Sequence, residues 1–449
     1  MTVAAPARSE APGALGLLGA RRFGPLFAAQ FLSAFNDNAL KNALVLMIAY
    51  GTDPGSQLSA QILIPLAGGL FILPFFLFSA TAGQLADRHD KASLIRLIKL
   101  SEIAVMLLAA AGVLAGNTGV LLALLCVMGI AAAGFGPLKY AILPDLLRPG
   151  ELVLGNALVE AGTFLAILIG TIAGVLIAGR HGPAAVAALI VGVALAAFGS
   201  SRAIPPTGAA APGAEVSWNP VAATARVIGE AAADPVLFRA ILGISWFWAA
   251  GAVYLAQFPS YVRFVLGGEQ VIVTLFLTVF TIGIGLGSLL CSRLLGGWLG
   301  ARTVPWGAFG VGLFSIDLWL ASPAPSGGGA LLGLGAFLAS PAHWRILGDL
   351  LAVSISGGIF ILPLYVLLQA ATPRQRRAQA IAANNIVNAA AMVASAVAMI
   401  GLSAAGVGSA ALFLLTGAAT IAVALWLRRA LPGFSALLPR GRKAGAAQR

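Results

Sequence analysis

In Phe35-Asn36-Asp37-Asn38, followed by Lys41 and Asn42, five polar side chains interrupt an apolar run that extends from about Phe23 to Tyr50. On a helix Asp37 lies ~21 Å from Phe23, near the middle of a membrane-length span. A carboxylate at that depth costs at least ~2.5 kcal/mol on insertion scales, so it is expected to face a cavity and to act there. Lys41 is four residues on and can reach it on the same helix face. Asn36, Asn38 and Asn42 spread polarity further round the helix than one ion pair requires.

Three more groups stand inside apolar segments. Lys139 follows Gly134, Gly136 and Pro137, which let a helix bend and backbones approach closely. Its ammonium can snorkel to an interface or hold a phosphate. Glu160 is ~12 Å into its span, too deep for a short acid to reach the surface, and Lys139 is its natural partner. Asn384, Asn385 and Asn388 can line a site or join helices, at ~0.6 to 2 kcal/mol per interhelical amide bond. Asp317, Asp349 and Glu102 are expected to be interface or capping charges near helix ends.

The elements that must position these groups follow from composition. With 59% hydrophobic and 9% charged residues and a mean hydropathy of +0.96, the chain is far from the soluble norm. Long apolar segments with scattered Gly and Pro, lacking ten-residue alternation, predict helices rather than a barrel. Twelve spans can be drawn, giving an all-α membrane protein of two six-helix bundles. The boundaries are an N-terminal segment 1–22, a first bundle 23–200, a linker 201–234, a second bundle 235–428 and a basic tail 429–449. Residues 1–20 lack a charged start leading into a cleavable apolar core, so the first span is expected to serve as insertion signal.

The net charge of +12 raises the question of nucleic acid, and the placement of the charges argues against it. Arg180, Arg263 and Arg345 fall outside and Lys41 and Lys139 within spans. The other basic residues, Lys99 among them, are assigned to the side that holds both termini and the linker. That asymmetry predicts a cytoplasmic linker side, with a mild attraction to anionic membrane lipids. Cys126 and Cys291 lack disulfide or metal spacing and read as packing residues. No cofactor or metal is called for; coupling to a proton or to sodium stays open.

The halves share an internal repeat. Gly136-Pro137-Leu138-Lys139-Tyr140 precedes Asn156 to Glu160 in the first, and Leu362-Pro363-Leu364-Tyr365 precedes Asn384 to Asn388 in the second. Such repeats place a transport site between two rocking bundles near the midplane. Between the second and third spans, Gly83-Gln84-Leu85-Ala86-Asp87-Arg88-His89-Asp90-Lys91 combines a glycine that permits tight contact with acids able to bind a helix N-terminus, at ~0.3 to 1 kcal/mol each. A fainter echo, Gly287 to Arg293 and on to Arg302, lacks the acid.

That loop resembles the signature of the major facilitator superfamily. Gln30 to Leu44, Gly134 to Pro144 and Gly155 to Phe164 together resemble its lysophospholipid transporter branch, including modules fused to an acyltransferase and an acyl-ACP synthetase. The resemblance implies a carrier in the bacterial inner membrane that moves lysophosphatidylethanolamine or lysophosphatidylglycerol for re-acylation. It implies substrate-binding roles for Asp37, Asn36, Asn38, Lys41, Lys139, Glu160, Asn384 and Asn388. It implies a gating latch of Gly83, Asp87, Arg88, Asp90 and Lys91. The seventh span, Ser245 to Tyr254, departs from the branch in holding no arginine.

A proton- or sodium-coupled exporter of drugs or small solutes fits the same scaffold. An integral-membrane acyltransferase does not, because its signature places Asp five positions after a catalytic His. Here Leu94, Val186 and Gly348 follow His89, His181 and His343 at that spacing.

Overall fold

The computed structural model describes residues 13–49, 56–295, 303–324 and 331–430. Most of the expected N-terminal segment and basic tail, and Arg302, lie outside them. The first half comprises a short α1 (Ala14–Leu18), α2 (Gly24–Ala49), α3 (Ser56–Arg88), α4 (Lys91–Leu114), α5 (Thr118–Ala141), a short α6 (Leu143–Leu146) and α7 (Leu152–Arg202). The linker carries α8 (Pro220–Ala232). The second half comprises α9 (Pro235–Ser260), α10 (Gln270–Leu295), α11 (Val304–Ala321), a short α12 (Leu334–Ala339), α13 (Pro341–Ala371), α14 (Arg377–Ala404) and α15 (Ser409–Ala430). Among the described residues, β pairing is limited to one bridge between Gly268 and Leu332.

Among the described residues ten helical stretches have the length and hydropathy to cross a bilayer, and the 26-residue α2 joins them as a more polar span. The 51-residue α7 holds two spans. At Gly182 the backbone takes φ 76°, a conformation natural to glycine, and Pro183 removes the next amide donor. The fifth and sixth spans therefore meet at a sharp kink, without the loop expected between them.

Small residues set the position of α2. A Cβ on Gly170 of α7 would lie 2.3 Å from the Phe35 carbonyl oxygen, and one on Gly174 would lie 2.2 Å from that of Ala39. This four-residue spacing of glycines lets the two backbones touch. Asn36 Nδ2 donates to the Ile190 carbonyl at 3.0 Å, so both arms of α7 hold α2. With Phe35 and Ala39 against α7, the residues Ser33, Asp37 and Lys41, spaced by four, share another face. The second bundle uses the same device where Gly287 of α10 meets Ile355 of α13, and where Gly312 of α11 meets Gly417 of α15. The bundles touch through α3 with α14 and through α7 with α10 and α13.

Candidate functional site

The face of α2 that carries Asp37 looks onto a buried polar cluster on α4. Lys99 is fully buried, ~12 Å along α4 from Lys91, and not at the helix end that the charge asymmetry predicts for it. Its Nζ pairs with Glu102 Oε1 at 2.7 Å, donates to Ser33 Oγ, and sits 3.6 Å from the centre of the Phe135 ring. Ser33 Oγ donates to Glu102 Oε2 at 2.9 Å. Glu102 is thus a member of this cluster rather than a capping charge. The cluster was legible as Lys99 and Glu102 at a spacing of three, in a span otherwise apolar at that depth.

Asp37 itself is half-buried, and Glu102, Lys99, Lys41 and Lys139 are the charges around it. Lys41 does not pair with it: Lys41 Nζ donates to Asn38 Oδ1 at 3.0 Å, while Asn38 Nδ2 donates to the Ala34 carbonyl at 2.8 Å. Asn42 Nδ2 reaches Asn38 O and Thr171 Oγ1. Asn36, 4% exposed, points to α7, one residue being a turn of ~100° on the helix, and its reach to Ile190 makes it a tie between helices. Among the described residues Asp37 has no ion-pair partner.

Glu160 and Lys139 do not form the expected pair either. Glu160 is 2% exposed and its Oε2 accepts from Tyr140 Oη at 2.9 Å, while Oε1 is buried without a partner. Lys139 is half-buried, with Nζ 4.9 Å from the Tyr140 ring centre. Tyr140 stacks on Tyr365 of the other bundle, 4.5 Å between centres and 9° between planes, and Trp248 Nε1 donates to Tyr365 Oη at 3.0 Å. One turn nearer the linker, Asn156 and Gln369 exchange two hydrogen bonds of 2.8 Å across the same seam. Four residues separate Asn156 from Glu160 and Tyr365 from Gln369, so two antiparallel helices meet through matched positions. Phe164 stacks on Trp248 at 5.7 Å. Tyr140, Tyr365, Gln369 and Trp248 carry no signal of their own in the sequence. The two tyrosines follow the repeated prolines, and that position was the available clue.

Asn384 is fully buried with both amide atoms unpartnered, and Asn385 Nδ2 occupies the place of a side chain on Gly136, 2.5 Å from where a Cβ would be. Asn388 Oδ1 accepts from Ser245 Oγ at 2.7 Å and so braces α14 against α9. Asp317 pairs with Arg345 near the end of α11 far from the linker.

At the linker side the seam is closed. A Cβ on Gly83 would meet that of Ala382 at 2.7 Å. Asp87, fully buried, accepts from the Ala378 amide at 3.1 Å and the Gln379 amide at 3.2 Å, at the N-terminus of α14. Fully buried Lys91 pairs with Asp145 at 3.0 Å, and Arg374 and Arg377 reach the other Asp145 oxygen at 3.2 and 3.3 Å. Their cross-seam pairing goes beyond the topological role that the sequence suggests for these arginines. Asp90 caps α4 and accepts from the Thr207 and Gly208 amides. Partial burial pushes its carboxyl up, but the bonds from Ser93, Thr207 and Gly208 outweigh this and hold it at about 2. Arg88 is exposed and makes no hydrogen bond among the described residues, because it projects from the far side of the turn that buries Asp87. All these cross-seam partners lie within ~20 Å of the linker-side helix ends.

Comparison with known proteins agrees with this architecture. The family model described as Major Facilitator Superfamily matches residues 26–395. A lysophospholipid transporter LplT of Escherichia coli O1:K1 is 30% identical over 425 residues, covering 90% of this chain and 95% of the relative. One from Pectobacterium carotovorum is 30% identical over 359 residues, covering 78% of each. Among solved structures, the proton:xylose symporter XylE superposes with a TM-score of 0.70 at 12% identity, covering 92% of this chain and 95% of that one. A bacterial homologue of the iron transporter ferroportin in its outward-facing state gives 0.66 at 16% identity, covering 93% and 100%. The chain belongs to the major facilitator superfamily, in the lysophospholipid transporter family.

Proposed function

We propose that this protein carries lysophospholipids, among them lysophosphatidylethanolamine and lysophosphatidylglycerol, across the bacterial inner membrane by alternating access. The observation that carries the reading is identity to lysophospholipid transporters along nine tenths of the chain. The site chemistry supports it. Asp37 offers a free carboxylate to an amine headgroup, and Lys139 offers a cation to the phosphodiester. Apolar helix surface on both sides of the seam accepts the acyl chain. The linker side is assigned to the cytoplasm by its basic residues. Closure on that side corresponds to a carrier that faces outward, ready to load. A separately encoded acyltransferase and acyl-ACP synthetase are the fitting consumers of the delivered lipid.

The test is uptake of labelled lysophosphatidylethanolamine into spheroplasts that lack any other route. Asp37→Asn is expected to reduce uptake about ten- to a hundredfold, the loss of a charge-assisted contact worth ~1.5 to 3 kcal/mol. Asp317→Asn, at the far edge of the second bundle, is expected to leave it unchanged. Wild-type uptake by a correctly inserted Asp37→Asn protein refutes the role of Asp37. Absence of lysolipid uptake by the wild type, with transport of a small solute that needs an ion gradient, refutes the substrate.

A further inference from the structure

The linker is bound very unequally to the two bundles it joins. Among the described residues, nine hydrogen bonds tie it to the first. Arg96 donates to the Ile204 carbonyl; the Thr207 amide and hydroxyl and the Gly208 amide donate to Asp90; the Ala210 and Ala211 amides donate to the Asp87 carbonyl. The Ser217 amide donates to Gln84, Thr81 donates to the Ser217 carbonyl, and Thr224 donates to the Phe76 carbonyl. These contacts follow the chain from Asp90 back to Phe76, ~21 Å of helix. The second bundle contributes Arg374, which donates to the Thr207 carbonyl at 2.6 Å, and a mostly exposed ion pair of Arg376 with Glu230 at 3.6 Å. An exposed pair of this kind contributes little.

Packing around α8 is shared between the bundles, and what differs is a hollow on the side of the second. Ala223, Val227 and Ala231 of α8 are buried where the helix lies in the seam between α3 and α14. Where α8 faces the second bundle, a cavity of about 320 Å³ opens between Val227, Glu230 and Ala231 on one side and Arg376, Gln379 and Ala380 on the other. A dry, close-packed contact resists parting, and a hollow one does so much less, because few dispersion contacts are lost. Only Ala233 and Asp234 connect α8 to α9, and Asp234 caps α9, so the hinge is confined to that turn.

We propose that the linker is a strap that rides with the first bundle, and that α8 seals the seam between α3 and α14 and must undock from α14 each time the linker side opens. This rests on the carrier reading only in requiring that the bundles part there. Two cysteine pairs test it, in a Cys126→Ala, Cys291→Ala background. Glu230→Cys with Arg376→Cys fastens α8 to the second bundle; Thr81→Cys with Ser217→Cys fastens the strap to the first. Each protein before addition of a short bis-maleimide is its own folding control.

One readout is hydrogen exchange of the Ala378 and Gln379 amides, which Asp87 covers while the linker side is closed. Cross-linking 230 to 376 is expected to slow that exchange, and lysolipid uptake with it, about tenfold or more, whereas cross-linking 81 to 217 leaves both within about twofold. Unchanged exchange after the 230–376 link overturns the proposal, as does equal slowing by both links. Exchange that responds as expected in a protein that moves no lysolipid upholds the strap and refutes the carrier reading instead.

Discussion

The two bundles share a backbone plan and load it differently. Pro137 lies inside α5 and Pro363 inside α13, and the tyrosines that follow them stack on each other across the seam. Yet, among the described residues, the first bundle brings Asp37, Lys99, Glu102, Lys139 and Glu160 to membrane depth, where the second brings Trp248, Tyr365, Asn384 and Asn388 and a single buried acid, Asp349. Asp349 lies inside α13 towards the side away from the linker rather than at a helix end. Symmetric bending points suit a seam that must close on either side of a midplane site. On the proposed reading, asymmetric charge gives that site a polar wall and an aromatic wall. An amphipathic cargo needs both, a place for its headgroup and a surface for its chain.

The sharpest break of the comparison removes charge from the first bundle. Lys99→Ala leaves the largely buried Glu102 without its cation and with only Ser33 as donor, and breaking a buried pair costs up to ~3 to 5 kcal/mol. The midpoint of thermal unfolding in detergent should fall accordingly. Lys99→Met with Glu102→Leu removes both charges and is expected to recover most of the loss. Uptake by that double variant then tells whether the cluster only holds α4 to α2 or also tunes Asp37. Recovery of stability without uptake assigns the charge to the site; recovery of both assigns it to packing alone.

Asp145→Asn comes next in size. It leaves Lys91 buried without its carboxylate and weakens the cross-seam reach of Arg374 and Arg377. Charge-assisted bonds of this type contribute ~1.5 to 3 kcal/mol each, so the linker side is expected to open more often, with exchange at Ala378 about tenfold or more faster. The amide ties are weaker. Asn156→Ala, which breaks the exchange with Gln369, and Asn388→Ala, which frees Ser245, are each expected to cost ~0.6 to 1.7 kcal/mol. Only the first crosses the seam. Faster exchange at Ala378 in Asn156→Ala but not in Asn388→Ala separates a gate bond from one that braces a single bundle.

Much of this plan was legible before any coordinates. The spans, the repeat and the polar run at Asp37 follow from hydropathy and from the expense of charge in lipid. Asp87 carries its meaning in its type and loop, because an acid beside a tight glycine contact has few partners other than a helix N-terminus. Pair identities were not legible. Lys41 and Lys139 each had an acid at a plausible spacing, yet Asn38 and Tyr140 supply the nearer partners, since rotamer and helix rotation decide what a long side chain reaches. Tyr365 and Gln369 were hidden for another reason. An aromatic ring leaves little hydropathy trace, and Gln369 lies two residues from the end of α13, where a polar group is ordinary, so both gain significance only when a second helix meets them.

The smallest effect concerns the strap's hold on the first bundle. Asp90 titrates at about 2 in the folded protein against 3.8 for a free aspartate, so it binds protons less readily when the linker is docked. A depressed carboxyl contributes stability that is present above pH ~4 and lost as the pH falls through about 2. The share of linker docking that Asp90 supplies is therefore expected to be constant from neutrality down to pH ~4 and to weaken between pH ~4 and ~2. An acid-active protease acting on the 203–219 segment reads this directly, with cleavage accelerating in that window. Asp90→Asn removes the titration, so its cleavage should run faster at neutral pH and lose the step below pH ~4. A step that persists in Asp90→Asn places the acid response outside the Asp90 contacts, and Asp90 is then not what holds the strap to the first bundle.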